Sequence, residues 1–172
     1  MNAEEFVILA VDDEPEVLSN LARELRAEGH RVHTLFDADE ASRYVAREPF
    51  DVVICDYDMP AVNGLELLHR ARLVRPDSVR MLLTGRPSLE LALEAINRGE
   101  VYRFMTKPFD PNELRLNVRL ACKHLALQRE NERLLREVRK RDTVLERLEQ
   151  EHPGITRLNR ALDGAILVDD QD

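Results

Sequence analysis

Five short β-rich runs alternate with helical patterns between the N-terminus and about residue 122, and no other feature of this 172-residue chain restricts its fold as strongly. Residues 6–11 (FVILAV) and 51–55 (DVVIC) are almost continuously apolar, as strands covered on both faces must be; 31–36, 79–83 and 101–105 are shorter or mixed. Four helical stretches lie between them: 15–28, which stops at Gly29; 38–47, preceded by Asp37 with Glu40 three residues on; 64–75, ending before Pro76; and 88–98, ending at Gly99. Parallel strands need a crossover and a helix supplies it, so this alternation predicts an α/β domain with a parallel sheet wrapped on both faces, over residues 1–122.

A fifth helical stretch opens with Asp110 as cap, Pro111 as first helical residue and Glu113 behind it, and no Gly or Pro interrupts it before Pro153. At 1.5 Å per residue it would reach on the order of 60 Å, of which a small domain covers only the first turns, so residues 123–151 are expected to project. Heptads counted from Leu120 put Leu127, Leu134, Arg141 and Leu148 at d and His124, Asn131, Val138 and Leu145 at a. An Asn at one a position suits a two-stranded coiled coil, whereas Arg141 at d, and Glu137 facing a partner's Asp142, weaken it. A homodimer through 123–151 is expected; the competing reading is a single helix held by Glu132–Arg136 and Glu137–Arg141 pairs. After Pro153-Gly154, residues 152–172 resemble a small hairpin with a Gly-containing turn, or a disordered acidic tail.

Composition excludes several classes. The net charge is −8, divided as −8 over 1–110, +2 over 111–151 and −2 over 152–172, so no segment has the basic excess of a nucleic-acid or anionic-membrane binder. The basic run Arg136, Arg139, Lys140, Arg141 is interleaved with acidic residues and reads as a solvated face. Cys55 and Cys122 lack zinc or redox spacing, and the acidic N-terminus and short apolar runs give no signal peptide or membrane span. A cytoplasmic protein with neither nucleic acid nor membrane as partner is expected. The five histidines form no ligand pattern, and His30 and His33 are expected to be solvated.

The polar residues that interrupt the strand pattern all fall at C-terminal strand ends. Asp12 and Asp13 follow the first strand, Asp56 the third, Thr84 the fourth, and Lys107 lies just past the fifth. In an open α/β sheet that edge is where ligands bind, so residues far apart in sequence converge there. Three carboxylates within about 4–5 Å repel by a few kcal/mol per pair at an effective dielectric near 20, which only a cation makes tolerable. An all-oxygen donor set selects Mg²⁺ or Mn²⁺ over zinc, and Mg²⁺ commonly completes its shell with a phosphate oxygen. Thr84 and Lys107 would then neutralise phosphoryl oxygens, and an aspartate, already ionised at neutral pH, can itself be the nucleophile.

These residues resemble the receiver domain of two-component response regulators, the CheY-like superfamily. Asp12-Asp13-Glu14-Pro15, Asp56 followed by Met59-Pro60 and Gly64, Leu83-Thr84-Gly85, and Lys107-Pro108-Phe109 occur in order over residues 6 to about 122. The resemblance implies a five-stranded flavodoxin-like sheet of order 2-1-3-4-5 and Asp56 as phosphoacceptor. It also implies Mg²⁺ on Asp12, Asp13, Asp56 and the Asp58 backbone carbonyl, Thr84 and Lys107 on the phosphoryl oxygens, and a cis Lys107–Pro108 bond. Phe104 takes the position of the switch aromatic that moves with Thr84, and Asp58 and Arg86 occupy positions that modulate phosphate lifetime. The implied function is a response regulator that takes its phosphoryl group from a histidine kinase or phosphotransfer protein and signals to a downstream protein through the helix. Such a domain is not an enzyme in its own right but assists its own phosphorylation and dephosphorylation. One alternative is the receiver and linker of a longer regulator with an output enzyme or DNA-binding domain. A remote one is a haloacid-dehalogenase-like phosphatase, suggested by the DxD of Asp56-Tyr57-Asp58, for which the chain before residue 122 is too short.

Overall fold

The computed structural model describes residues 4–97 and 101–154. The elements run β1 (Val7–Val11), α1 (Pro15–Ala27), β2 (Arg31–Leu35), α2 (Ala38–Arg47), β3 (Val52–Asp56), α3 (Gly64–Val74), β4 (Val79–Thr84), α4 (Leu89–Asn97), β5 (Arg103–Thr106) and α5 (Pro111–Glu151). All four strand pairings are parallel and the order is β2-β1-β3-β4-β5, the doubly wound arrangement expected. Strand starts differ from the sequence pattern mainly at β5, which begins at Arg103 and not at residue 101.

Side chains alternate across the sheet and feed two separate cores, as a period of two residues requires. On one face Ile8, Ala10, Ile54, Met81 and Met105 pack under α1 and α5. On the other Leu9, Val11, Val53, Cys55 and Leu82 pack under α2, α3 and α4. The central strands β1 and β3 are therefore buried on both sides, which explains their continuous apolar runs. Cys55 is fully buried, where burial, with the neighbouring Asp56 charge second, pushes its thiol well above the usual range. The buried face of α5 runs from Leu114 through Val118, Ala121 and Cys122 to Leu125.

Local chemistry explains where helices begin. Asp37 accepts from Glu40 N at 2.7 Å, Asn63 from Glu66 N at 2.9 Å, and Asp110 Oδ1 from the backbone N–H groups of Asn112 and Glu113, satisfying donors that the first turn leaves unpaired. The loop from β3 to α3 contains Ala61 at φ +70°, the one non-glycine residue with positive φ among those described. His30 departs from expectation: it is half-buried, edge-on to Phe6 with ring centroids 5.9 Å apart, and its Nδ1 is buried without a hydrogen-bond partner. Burial lowers its pKa, against the raising effect of Glu28 and Glu5. His33 is exposed, as expected.

Two units are distinguished, Met1–Leu127 and Gln128–Asp172. In the second, the helix continues to Glu151 and closes with His152 N donating to Leu148 O and Gly154 N to Glu149 Oε1. Glu132 and Arg136 lie 4.0 Å apart as the single-helix reading expected, but the expected Glu137–Arg141 pair is not formed. Glu137 instead meets Arg133 Nη1 at 3.0 Å, and Arg133 also binds Glu130 at 2.6 Å. The reversed spacing, with the cation on the N-terminal side, is available because Arg133 reaches both carboxylates at once. The hairpin suggested by residues after Gly154 lies outside the described residues.

Candidate functional site

Four strands deliver the predicted residues to one edge of the sheet. Asp12 follows β1, Asp56 ends β3, Thr84 ends β4 and Lys107 follows β5; all three of Asp12, Asp56 and Thr84 are buried, while Asp13 is exposed beside them. Lys107 leads into a cis Lys107–Pro108 bond, and its backbone N donates to Thr84 O at 2.8 Å. Its ammonium is the hub of the cluster: Nζ lies 2.7 Å from Asp12 Oδ2, 2.9 Å from Glu14 Oε1 and 3.3 Å from Asp56 Oδ2. Glu14 is the one charged partner that the sequence did not single out, since it lies on a loop after β1 and only the fold brings it to a lysine 93 positions away.

Electrostatics follow from crowding. Burial, then the charge of Asp12, pushes the Asp56 carboxyl up to about 6, partly offset by Lys107 and by the Asp58 backbone N–H. Asp12 is also raised by burial, despite the opposing Lys107 and Glu14 N contacts. Burial alone would lower Lys107, but hydrogen bonds from its ammonium to Asp12 and Glu14 outweigh it and hold it well above the usual lysine range. One ammonium thus serves an arrangement with more negative charge than it can neutralise.

The donor set fits a hard divalent cation. Carboxylate oxygens of Asp12, Asp13 and Asp56 lie within 4.8 Å of one another, and Asp56 Oδ1 is buried with no hydrogen-bond partner. A buried, ionised acceptor without a donor is costly unless something positive meets it. The cleft over this cluster is lined by Asp13, Glu14, Asp56, Asp58, Gly85, Arg86 and Lys107. Asp58 Oδ2 and Arg86 Nε lie 3.6 Å apart at its rim, and Thr84 Oγ1 accepts from Arg86 N at 3.1 Å.

Gly64 and Phe104 lie outside the cluster itself. Gly64 opens α3 directly against the β3 terminus: a Cβ there would overlap the Asp56 carbonyl oxygen and lie 2.9 Å from its carbon. Only glycine allows the helix to start so close to the Asp56 backbone. Phe104 on β5 is half-buried against the core that contains Leu82 and Ala95, beside a cavity lined by Ala92, Ala95, Val101, Tyr102 and Arg103.

An oxygen-only acidic cluster, a hydroxyl and an ammonium thus meet at the switch edge of a 2-1-3-4-5 sheet, the arrangement of a receiver-type domain. A family model described as the response regulator receiver domain matches residues 8–119, and the chain belongs to that family. The hydrogenase transcriptional regulatory protein HoxA of Cupriavidus necator is 34% identical over 145 residues, which cover 84% of this chain and 30% of that protein. A match of that length cannot fit within the first 119 residues, so the similarity runs on into α5. Among solved structures, an adenylate cyclase from Rhodopirellula baltica superposes with a TM-score of 0.71 at 34% identity, over 77% of this chain and 98% of that one. The beryllofluoride-activated NtrC4 receiver domain dimer gives 0.65 at 31% identity, over 69% and 98%. The chain spans less than a third of the length of the first curated relatives it matches.

Proposed function

We propose that this chain accepts a phosphoryl group on Asp56 and passes the change to α5. The observation that carries the reading is the buried Asp56 carboxylate with one oxygen, Oδ2, 3.3 Å from Lys107 Nζ and the other, Oδ1, uncommitted. A carboxylate oxygen attacks phosphorus, the bond from phosphorus to the donor's leaving group breaks with its electron pair, and an acyl phosphate remains on Asp56. Asp12, Asp13 and Asp56, with the Asp58 backbone carbonyl, would hold Mg²⁺ or Mn²⁺, which supplies charge neutralisation to the transferred oxygens. Lys107 and Thr84 add an ammonium and a hydroxyl aimed at the same oxygens, so catalysis consists of positioning and charge, with no general base required.

Thr84 drawn toward the new anion leaves room that Phe104 turns in to fill, which alters the surface made by α4, β5 and the start of α5. The chain is a phosphoacceptor and not an enzyme, working in the cytoplasm. Its phosphoryl donor is a histidine kinase or phosphotransfer protein, and its output is a downstream protein reached through a homodimer of residues 123–151. Dimerisation is supported by the exposed Leu127, Leu134, Val138, Leu145 and Leu148 along α5. Among the described residues no helix is long and apolar enough to cross a membrane.

A second reading is favoured by the short share of its relatives that this chain spans: residues 1–122 as receiver, 123–151 as linker helix, within a longer regulator. The reading frame beyond the codon for Asp172 distinguishes the two. Phosphorylation is tested by incubating the protein with acetyl phosphate and Mg²⁺ and measuring intact mass. One added phosphoryl group is expected, absent in Asp56→Asn and absent with a chelator; an adduct that survives in Asp56→Asn assigns the acceptor elsewhere.

A further inference from the structure

The apolar stripe on α5 contains a conflict that depends on the direction in which a second helix lies against it. Leu127, Leu134, Val138 and Leu145 are all close to half exposed or more, as surface awaiting a partner would be. Between Leu134 and Leu148, however, the d position is Arg141. In a parallel pair each core residue meets its own copy, so Arg141 would face the partner's Arg141. On the flank of that layer Glu137 at g would face the partner's Asp142 at e, again like against like. The helix itself gives no relief: Glu137 is already held by Arg133 at 3.0 Å, and among the described residues neither Arg141 nor Asp142 forms an ion pair.

Reversing the second helix removes the Arg141 clash and leaves one like-charge contact on the flank, Glu137 against the partner's Glu137 across the two-fold axis, in place of two Glu137–Asp142 contacts. Antiparallel helices set a positions against d positions, and in the register centred on Arg136 Asn131 lies opposite the partner's Arg141, whose guanidinium donates to the Asn131 amide oxygen. By the two-fold symmetry this contact occurs twice. The same register places Leu134 against the partner's Val138 and Leu127 against the partner's Leu145, so apolar meets apolar and polar meets polar. Sliding by one heptad in either direction sets Asn131 against a leucine, the partner's Leu134 or the partner's Leu148, and buries Arg141 against Val138 or beside His124. Two flanking residues fit as well. Leu135, 51% exposed and at e, has no role in a parallel seam, but in this register it lies beside the partner's Leu135. Asp142 comes beside the partner's Gln128, an amide in place of a carboxylate.

We propose that residues 127–148 of α5 are an antiparallel docking surface for a second copy of this chain, its register fixed by the reciprocal Asn131–Arg141 contacts. The proposal rests on the dimer reading above and adds the direction and register of pairing.

The test uses the full chain with a spin label on Arg147→Cys or on Arg133→Cys, since the native Cys55 and Cys122 are buried and leave the new thiol as the accessible one. Arg147 is eleven residues from the centre, so at 1.5 Å rise the two labels stand about 33 Å apart along the axis in the antiparallel pair and level with one another in a parallel one. Arg133 labels are expected to be close, about 9 Å apart along the axis by the same rise, and they confirm that a pair has formed. Short distances at both positions overturn the antiparallel direction while leaving the dimer intact. A monomeric mass by light scattering overturns the dimer and the direction together. Arg141→Leu gives a second readout: it leaves Asn131 without its partner and is expected to weaken association severalfold, whereas in a parallel pair it removes a repulsion, and tighter association would overturn the proposal. Acetyl phosphate labelling of Asp56 is followed in every variant and is expected to be unchanged, so failure of the phosphoacceptor reading registers separately.

Discussion

Lys107 and Arg133 each hold more than one carboxylate, the first at the sheet edge of the Met1–Leu127 unit and the second on the α5 surface of the Gln128–Asp172 unit. Their surroundings make them different objects. Lys107 is 13% exposed and its partners Asp12 and Asp56 are nearly inaccessible, so little water screens the cluster and an imbalance of charge is expensive there. Arg133 and its two glutamates are each about half exposed, and such pairs contribute little because water already solvates them. A cation between carboxylates is thus a poised site in one region and a solvated surface pair in the other, and burial alone separates them.

The largest expected effect comes from disturbing how the buried cluster is built. Gly64→Ala forces a Cβ into the Asp56 carbonyl, so α3 must retreat; a loss of about 3 kcal/mol in urea unfolding is expected from overpacking against backbone, with slower acetyl phosphate labelling. Unaltered stability would mean that α3 does not abut Asp56.

Acidity provides the next test. Because Asp56 is raised in the folded state to about 6, above its ordinary 3.8, the folded protein binds that proton more tightly than the unfolded chain does. Its contribution is therefore fully present below about pH 4 and is lost as pH rises through 6, by about 2–3 kcal/mol at 1.36 kcal/mol per unit in metal-free protein. His30 acts with the opposite sign, since its lowered pKa costs stability as pH falls below 6.5. The measurement is therefore the difference between wild type and Asp56→Asn, in which His30 cancels. The variant is expected to gain on wild type between pH 4 and 7 in chelator and to lose that advantage with Mg²⁺; a constant difference would contradict the crowding.

Smaller effects mark the boundary between the two regimes. Ala61 holds φ +70° in the loop that leads from β3 to α3, a conformation costing an L-residue roughly 1 kcal/mol, so Ala61→Gly is expected to stabilise by about 0.5–1 kcal/mol. Destabilisation would mean that the methyl group is packed. Arg133→Ala is expected to leave the melting temperature unchanged within error and to show no salt dependence, and a clear drop would place that pair in the same class as Lys107.

Legibility in the sequence followed the range of the interaction. Helix starts at Asp37 and Asp110, the covered strands β1 and β3, and the long α5 could be read because each depends on residues within a few positions. The aspartates, Thr84 and Lys107 could be read because each ends a strand, and parallel strands of one sheet put their C-terminal ends on one edge. Glu14 was missed because its pairing with Lys107 depends on the path of a loop. The Glu137–Arg141 expectation failed because two carboxylates compete for Arg133, and spacing alone does not say which pair forms. His30 was read as solvated because its polarity is visible in the sequence while the neighbouring Phe6 ring is not.

By itself the sequence determined the alternation of strand and helix, the parallel sheet that alternation requires, the set of oxygen donors and cations at its edge, and the apolar stripe with its two polar interruptions along α5. These are properties of residue type and spacing, which local backbone geometry converts directly into elements and faces. Only the tertiary structure decided that Lys107 is shared among Asp12, Glu14 and Asp56, that Asp56 Oδ1 is left without a donor, and that Gly64 must be glycine to bring α3 against the Asp56 backbone. Those depend on distances of a few tenths of an ångström between segments tens of residues apart. Packing of the whole domain sets such distances, and with them the desolvation that raises the Asp56 pKa.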